Sequence, residues 1–338
     1  MIKILLHKEL FSSEKKEILS SKSFDVYAFK YSTGIEAIEI KNAKGRIVVL
    51  PFMGQMIWEA EFLGVNMCME NMFSEPRKAT NIIETYGCFA FHSGLLRNGC
   101  PGDTDDHPLH GEFACADINE SWIEMNESEV KLVSSFEYVM GFGHHYHALP
   151  SVSLKSKESA LTINMQVKNL GGSPMPLQYM CHINSRYIKN AEFTQNVPDS
   201  IINLRKTIPA HVKPNKQWLR FNKILGESKP ISKLDQEEMY NPEIVYFMDE
   251  LSQVTDKAIF EMASPEGFNL FTEFSTKDFN YATRWILKNE DQSVAAYALP
   301  VTCRPEGFNA AKENNTVIYL KKNESRRFST KTGIRIGV

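Results

Sequence analysis

The sequence lacks a surplus of charge of either sign. Its 338 residues include 38 lysines and arginines against 41 aspartates and glutamates, which gives a formal net charge of −3 at pH 7. No long block of consecutive basic residues breaks this balance. Because a protein that wraps a phosphate backbone needs a basic face to release counterions, the composition argues against nucleic acid as a partner.

Long apolar runs are also missing. A membrane-spanning helix needs about 20 consecutive apolar residues, whereas the most apolar windows, such as IVVLPFMGQMIW at 47–58, are far shorter. The N-terminal sequence MIKILLHKELFSSEKKEIL has a short apolar run that ends at His7, with no small-residue cleavage site after it. We therefore expect no membrane partner and interpret the N-terminus as mature sequence.

The cysteines form no recognisable pattern. No C-x-x-C pair occurs, and several cysteines lie among apolar residues, where a free thiol behaves as a small hydrophobic group. The six are Cys68, Cys88, Cys100, Cys115, Cys181 and Cys303. This usage favours the reducing cytoplasm. Glycine-rich phosphate cradles of the G-x-G-x-x-G or G-x-x-x-x-G-K-S/T type are absent as well, so no nucleotide cofactor is expected.

What the sequence does contain is period-two alternation. In ALTINMQVKNL, the apolar side chains of Leu161, Ile163, Met165 and Val167 fall on one face and polar side chains on the other, which is typical of a half-buried strand. The next segment, GGSPMP at 171–176, has the glycines and prolines of a turn, and LQYMCHI predicts the following strand.

The same rhythm of strand, turn and strand recurs in WIEMNESEVKLVSSFEYVM, AIFEMASPEGFNLFTEF and TVIYLKKNESRRFSTKTGI. Helices are expected only in the N-terminal stretch of about 20 residues, in SEPRKATNIIETYG and in KLDQEEMYN. The chain shows no repeat, low-complexity linker or hinge. The pattern predicts an all-β fold: a large antiparallel β-sandwich with few short helices, formed by residues 1–338 as a single domain.

Histidines are the residues that point to function. Seven of the nine lie between positions 92 and 182, namely His92, His107, His110, His144, His145, His147 and His182. A β-sandwich that brings these segments side by side can converge several imidazoles on one concave face.

Two of these histidines have informative neighbours. His110 precedes Gly111 in HPLHGEF, at a loop-to-strand junction where the backbone can approach a ligand. His182 and Asn184 in QYMCHIN are two residues apart on a predicted strand, so both side chains project from one face. Two hydrogen-bonding groups on one face suit a polyol ligand, although the residues alone favour the solvated face of a strand.

Five motifs follow one another along the chain: SGLLRNGC, HPLHGEF, QYMCHIN, YNPEIVYF and LPVTCRPEGFNAA. In this order and at these intervals they resemble the galactose mutarotase-like superfamily, and more closely its aldose-1-epimerase-related branch, which is recorded as a domain of unknown function. The similarity extends from GRIVVLPFMGQMIW to the C-terminus and leaves an N-terminal extension of about 40 residues uncovered. It implies a single antiparallel β-supersandwich that binds a sugar on a concave face.

The resemblance also implies a mechanism and its residues. In such enzymes a His acts as general acid on the ring oxygen and a Glu as base on the anomeric hydroxyl; the ring opens, the C1–C2 bond rotates and the ring recloses, without a cofactor. A His that titrates near neutrality suits this task. By their matching motifs, His182 is the expected acid and His110 a substrate-binding residue. Arg97 and Glu243 match further sugar-binding positions of the motifs. Asn184 is a third expected sugar-binding residue, because it lies on the same strand face as His182.

The expected base is missing. Where the branch usually has Glu-Pro-Ala-Thr on its C-terminal strand, this chain has Leu299 followed by Pro300, Val301 and Thr302. Leucine cannot accept a proton, and the loss of a general base typically lowers a rate by about 10²- to 10⁴-fold. Glu306 is the nearest carboxylate in the sequence, so Glu306 and His182 form the candidate catalytic pair. Other candidates for the base are Glu273, His144 and His147.

Three functions remain open on the sequence. The first is an aldose-1-epimerase-like isomerase whose base has moved, and the second is a sugar-binding protein that has lost turnover. The third is a metal-dependent sugar isomerase, in which histidines among His110, His144, His147 and His182 hold a divalent ion together with a carboxylate. No metal ligand is assigned. In each case the partner is a monosaccharide or a sugar derivative.

Overall fold

The computed structural model describes residues 2–337, which form 22 strands and two α-helices. In the first half of the chain the strands are β1 (Ile2–Leu5), β2 (Lys16–Ser20), β3 (Asp25–Lys30), β4 (Glu36–Asn42), β5 (Gly45–Val49), β6 (Ile57–Phe62), β7 (Val65–Asn66), β8 (Ala90–Leu95), β9 (Glu120–Met125), β10 (Glu129–Val139) and β11 (His145–Lys155). In the second half they are β12 (Ala160–Asn169), β13 (Met175–Ile183), β14 (Glu192–Gln195), β15 (Ile202–Leu204), β16 (Ile244–Met248), β17 (Lys257–Ala263), β18 (Phe268–Ser275), β19 (Tyr281–Lys288), β20 (Ser293–Val301), β21 (Ile318–Leu320) and β22 (Ser325–Ile336). The helices are α1 (Lys216–Gly226) and α2 (Phe308–Glu313).

Two antiparallel sheets contain these strands. One sheet has nine strands in the order β1-β9-β10-β11-β12-β22-β18-β17-β14. The other has 13 strands in the order β15-β16-β19-β20-β13-β8-β6-β5-β4-β3-β2, with β21 paired to β13 and β7 paired to β6. The predicted all-β antiparallel architecture with few short helices is therefore confirmed.

The hydrophobic core lies between the two sheets. On β12, the apolar row from Leu161 to Val167 is buried, while the polar side chains that alternate with it are partly exposed. This row belongs to the same buried cluster as Cys181 and Ile183 of β13 in the other sheet. Burial of one such Leu or Ile side chain stabilises the fold by about 1.5–3 kcal/mol. Because Cys181 and Ile183 face the core, His182 between them faces the opposite side of its sheet.

The three predicted pairs of strands are present, with one difference in how they pair. β9 pairs directly with β10, and β17 pairs directly with β18. β21 and β22 do not pair with each other, because β21 pairs with β13 whereas β22 pairs with β12 and β18. The polar turn at 321–324 therefore carries the chain from one sheet to the other.

The predicted N-terminal helix is wrong. This stretch forms β1 and β2, separated by a short 3₁₀ turn at Lys8–Leu10. β1 pairs with β9 and β2 pairs with β3, so the edges of the two sheets supply hydrogen-bond partners for both strands. The segments of the other two predicted helices form only short 3₁₀ turns, at Ile82–Thr85 and Glu237–Met239. Neither segment has an apolar stripe long enough to stabilise an α-helix by packing.

Helix α1 lies where the sequence analysis expects no helix. It begins after Asn215, whose side chain accepts a hydrogen bond from the Trp218 backbone N–H at 2.8 Å. Its buried residues are Trp218, Phe221 and Leu225, a spacing that places all three on one face. Leu219 and Ile224 of the same helix are apolar but exposed, so the apolar residues do not mark a single face in the sequence, which explains the omission.

No helix within residues 2–337 is long and apolar enough to cross a membrane. The six cysteines are free thiols, and Cys88, Cys181 and Cys303 are buried. The sequence, in which the cysteines are scattered and several lie among apolar residues, predicts such free and partly buried thiols.

Candidate functional site

A cavity of about 330 Å³ lies against one face of the 13-stranded sheet. The neighbouring strands β16, β19, β20 and β13 line it with residues that include Val245, Thr283, Trp285, Leu299 and His182. Segments outside the strands contribute Tyr86, Cys100, His110, Arg205, His211 and Glu243. This space, the His182 cavity, combines a largely apolar lining with a few polar groups, as small-molecule sites do.

His182 is 3% exposed on β13. Its ring stacks on Phe91 with 4.5 Å between the ring centroids, and its Nε2 lies 3.2 Å from the Tyr86 hydroxyl. Burial lowers the pKa of His182 to about 3, against the opposing effect of the Asn184 side chain. The imidazole is therefore neutral at pH 7, which corrects the expectation of a His that titrates near neutrality.

Asn184 lies beside His182 but is not among the residues that line the cavity. Its side chain is fully buried, and its Nδ2 donates a hydrogen bond to the Cys88 carbonyl at 2.9 Å. Its Oδ1 and the Nδ1 of His182 have no hydrogen-bond partner within residues 2–337. The structure therefore places Asn184 behind the imidazole, away from the position expected of a sugar-binding residue.

His110 lines the cavity from a loop whose backbone conformation is unusual. Its φ is 63°, and that of Gly111 is 77°. A Cβ on Gly111 would lie 2.0 Å from the Arg97 carbonyl oxygen, so only glycine fits there. The His110 and His182 rings meet edge to face with 4.8 Å between their centroids. The fold thus brings together two histidines that the sequence analysis singled out.

The contacts of Ser93 bear on which nitrogen of His110 carries the proton. The Ser93 hydroxyl lies 2.5 Å from Asn98 Oδ1, 3.3 Å from the His110 carbonyl oxygen and 3.0 Å from His110 Nδ1. When the hydroxyl donates to either oxygen it accepts from Nδ1–H, and Nε2 of His110 is then the acceptor nitrogen. Burial and, to a lesser degree, His182 lower the pKa of His110 well below its usual range. A neutral imidazole thus offers one acceptor nitrogen.

Glu243 is the carboxylate of the cavity, since no other Asp or Glu of residues 2–337 lines it. Its Oε2 accepts a hydrogen bond from Trp285 Nε1 at 2.8 Å. Burial raises the pKa of Glu243, while Arg205 and the Trp285 hydrogen bond act to lower it. The Trp285 ring also lies 5.9 Å from the His182 ring, measured between centroids. One indole therefore adjoins both Glu243 and His182.

Leu299, which stands at the expected position of the base, lines the His182 cavity and is 1% exposed. Glu306 does not line this cavity. Its Oε1 accepts a hydrogen bond from the Thr207 hydroxyl at 2.5 Å, and it lines a separate surface cavity of about 320 Å³. The structure therefore separates Glu306 from His182, its expected catalytic partner.

Arg205, and not Arg97, is the arginine of the cavity. Arg97 Nη1 donates to the Leu96 carbonyl at 2.9 Å, and its guanidinium carbon lies 3.7 Å from the centroid of the Phe308 ring. The Arg205 side chain is 9% exposed, and its Nε donates to the Thr207 hydroxyl at 2.9 Å. Arg205 follows β15 in a segment without a motif, so sequence reasoning had no signal for it.

The remaining sequence candidates lie elsewhere. Glu273 pairs with Lys257 at 2.9 Å in the nine-stranded sheet, and His144 and His147 lie at or beside β11 of the same sheet. In the part of the chain that the structure describes, no three His, Cys, Asp or Glu side chains are grouped so that they could hold a metal ion. His211, which sequence reasoning did not single out, does line the His182 cavity.

Comparison with known sequences gives one family. The profile of the family described as Domain of unknown function (DUF4432) matches residues 32–334. No curated protein matches the chain.

Comparison with solved structures gives a consistent fold. A candidate aldose 1-epimerase from Klebsiella pneumoniae is 14% identical, with a TM-score of 0.81 over 98% of this chain and 91% of that chain. A candidate mutarotase from Salmonella typhimurium is 8% identical, with a TM-score of 0.65 over 95% and 97%. A galactose mutarotase-like protein from Clostridium acetobutylicum is 15% identical, with a TM-score of 0.61 over 94% and 100%. At these identities the similarity shows the fold alone, and the galactose mutarotase-like fold is confirmed.

Proposed function

The chain belongs to the family described as Domain of unknown function (DUF4432), and we propose that it is an aldose-1-epimerase-like isomerase that binds a monosaccharide or sugar derivative in the His182 cavity. The observation that carries the proposal is the meeting of His110, His182 and Glu243 in one largely apolar cavity, although they come from distant parts of the chain. The similarity to mutarotase-like structures supports the same function class.

Ring opening of an aldose requires the transfer of protons at two oxygens. The C1–O5 bond breaks, the C1–O1 bond becomes a carbonyl, the anomeric hydroxyl loses a proton and the ring oxygen gains one. One acid and one base that share a single proton can catalyse this step in both directions. Rotation about C1–C2 before reclosure then gives the other anomer.

We assign the acid to Glu243 and the base to His182, the reverse of the roles implied by the motif resemblance. Burial disfavours the charged form of both groups, because it raises the pKa of Glu243 and lowers that of His182. Glu243 therefore binds a proton more readily than His182 does, which makes Glu243 the donor and His182 the acceptor of the pair. The carboxyl proton passes to the ring oxygen while His182 Nε2 accepts the anomeric proton. Both protons return when the ring recloses.

Three other residues shape the cavity for this reaction. Nε2 of His110 accepts a hydrogen bond from one sugar hydroxyl, and the guanidinium of Arg205 donates to others. Leu299 provides an apolar contact and takes no part in proton transfer. In the free protein the Tyr86 hydroxyl lies at His182 Nε2, and the anomeric hydroxyl of a bound sugar replaces it there.

We also propose that the N-terminal extension belongs to the same domain as the rest of the chain, so that residues 1–338 form one unit. Support comes from β1, which pairs with β9 of the nine-stranded sheet, and from β2, which pairs with β3 of the 13-stranded sheet.

The wild-type protein is expected to accelerate the interconversion of the anomers of at least one aldose. NMR exchange spectroscopy between the α and β anomeric signals, applied to a panel of aldoses, measures this rate. His182→Ala is expected to lower the rate by about 10²- to 10⁴-fold, because it removes the proton acceptor.

Two outcomes would replace this proposal with another. Binding of an aldose by calorimetry, without faster anomer exchange, would make the protein a sugar-binding protein. Activity that is lost on chelation and restored by a divalent ion would identify a metal-dependent isomerase.

A further inference from the structure

Two buried polar atoms beside the cavity lack partners. They are Nδ1 of His182 and Oδ1 of Asn184, and neither forms a hydrogen bond within residues 2–337. The two residues are separated by Ile183, which faces the core, so both side chains project from the opposite face. Asn184 also opposes the lowering of the His182 pKa. A potential donor and a potential acceptor, both unsatisfied, thus belong to adjacent side chains.

The orientation of the Asn184 amide is determined by its other contact. Its Nδ2 donates to the Cys88 carbonyl at 2.9 Å, and only the NH₂ group of an amide can donate. Its backbone N–H donates to the Phe89 carbonyl at 2.6 Å, which anchors the residue at the end of β13. A flipped amide would place Oδ1 against a carbonyl oxygen. Oδ1 is therefore the atom left for His182.

The contact of the second ring nitrogen, Nε2, also favours a hydrogen on Nδ1. Nε2 of His182 lies 3.2 Å from the Tyr86 hydroxyl, which can act as its donor. With hydrogen on Nδ1, the ring donates toward Asn184 and accepts from Tyr86. With hydrogen on Nε2, the lone pair of Nδ1 would face the lone pairs of Oδ1 in a buried environment, where unpaired polar atoms are costly.

We propose that Asn184 is a positioning residue, which holds His182 in the Nδ1–H tautomer and so presents the Nε2 lone pair to the cavity. The catalytic role of this lone pair rests on the proposed function, in which it accepts the anomeric proton. The tautomer itself is a property of the free protein, so it can be measured without a substrate.

The test uses the full chain labelled with ¹⁵N at histidine. Two-bond ¹H–¹⁵N correlation spectra distinguish the protonated from the unprotonated ring nitrogen, and the His182 signals are assigned by their absence from His182→Ala. In the wild type, Nδ1 of His182 is expected to be protonated and Nε2 unprotonated. Asn184→Leu removes the acceptor at similar volume, so it is expected to shift the ring toward Nε2–H.

The same variant separates positioning from binding. Asn184→Leu is expected to lower kcat by about tenfold, the rate equivalent of one buried hydrogen bond. KM is expected to be unchanged, because Asn184 does not line the cavity. Asn184→Asp keeps an acceptor oxygen toward His182 and, when protonated on its second oxygen, can still donate to the Cys88 carbonyl, so it is expected to keep the Nδ1–H tautomer.

Asn169→Leu is the matched control. The Asn169 amide is buried in β12 and donates to the carbonyls of Ser173 and Leu320, away from the cavity. Its loss is expected to lower the melting temperature and to leave the His182 tautomer unchanged.

Three results decide between the inference and the proposed function. An Nε2–H tautomer in the wild type, or an unchanged tautomer in Asn184→Leu, overturns the inference whatever the activity. The expected tautomers without turnover of any aldose support the positioning role and refute the proposed function. If Asn184→Leu fails to fold, the spectra of the wild type and of Asn184→Asp decide, since both must show Nδ1–H.

Discussion

Replacement of Glu243 by glutamine is expected to lower the rate of anomer interconversion by about 10²- to 10⁴-fold. Glutamine keeps a side-chain oxygen that can accept the hydrogen bond from Trp285 Nε1, and it has nearly the same volume. It removes the exchangeable carboxyl proton. NMR exchange between anomers measures the loss of rate, and calorimetry tests whether the sugar still binds.

The pH dependence of the wild type tests whether the Glu243–His182 pair works with one shared proton. Either assignment of acid and base needs that proton, so kcat/KM is expected to fall as the pH rises through the pKa of Glu243, which burial raises. A kcat/KM that rises over this interval would contradict a shared proton on the pair.

The same substitution at Glu306 is the matched control. Its carboxylate binds the Thr207 hydroxyl and lies 3.8 Å from Arg205 Nε, but it does not line the His182 cavity. Glu306→Gln is therefore expected to reduce the rate far less than Glu243→Gln. A larger loss in Glu306→Gln would identify Glu306 as the catalytic carboxylate and contradict the proposed assignment.

The fold could be predicted from the sequence because strand alternation is a local signal. The row from Leu161 to Val167 indicates a strand and its buried face without any knowledge of its partners. β1 and β2 could not be predicted in the same way, because they depend on pairing. The partner of β1 is β9, more than 100 residues away, and four residues such as IKIL do not specify a sheet edge by themselves.

The site was only partly predictable, because the sequence does not show where loops lie over the sheet. His110 and His182 carry motifs, and the structure brings them together. Arg97 has a matching motif as well, but its guanidinium stacks on Phe308 outside the cavity, and Arg205 lines the cavity instead. Glu306 is close to Leu299 in sequence, yet the chain leaves β20 at Val301, and the carboxylate lies outside the cavity.

The protonation states of the site histidines were the property that the sequence predicted least well. The pKa of a His in a motif cannot be predicted until the burial of the side chain is known. The His182 ring stacks on Phe91, and its Nε2 lies beside the Tyr86 hydroxyl. These neighbours come from other segments of the chain. The expectation of a His that titrates near neutrality was therefore wrong for a reason that only packing reveals.

Acid is expected to unfold this protein over a narrow pH interval. Burial lowers the pKa of His92 and His182 to about 3 and that of His110 well below its usual range, whereas a His in an unfolded chain has a pKa of about 6.5. Between these values the unfolded state binds three protons that the folded state does not. The free energy of unfolding is therefore highest above about pH 6.5 and decreases as the pH falls, by about 1.4 kcal/mol per pH unit for each His.

The combined slope is roughly 4 kcal/mol per pH unit, against a typical free energy of unfolding of about 5–15 kcal/mol. Glu243 acts in the opposite direction, because its raised pKa lets the folded state bind that proton first. Urea unfolding curves recorded at several pH values between 7 and 4 measure the slope. A free energy of unfolding that is independent of pH over this range would contradict the burial of neutral histidines.

His92→Asn is the variant that isolates one of the three protons. His92 does not line the cavity, and its Nδ1 lies 2.8 Å from the Tyr179 hydroxyl, a contact for which asparagine offers a polar atom that does not titrate. The slope is expected to fall by about 1.4 kcal/mol per pH unit. His182→Ala should remove a similar share, and because the two sites face opposite sides of the sheet, their effects should add. An unchanged slope in His92→Asn would mean that the folded protein protonates His92 as readily as the unfolded chain does.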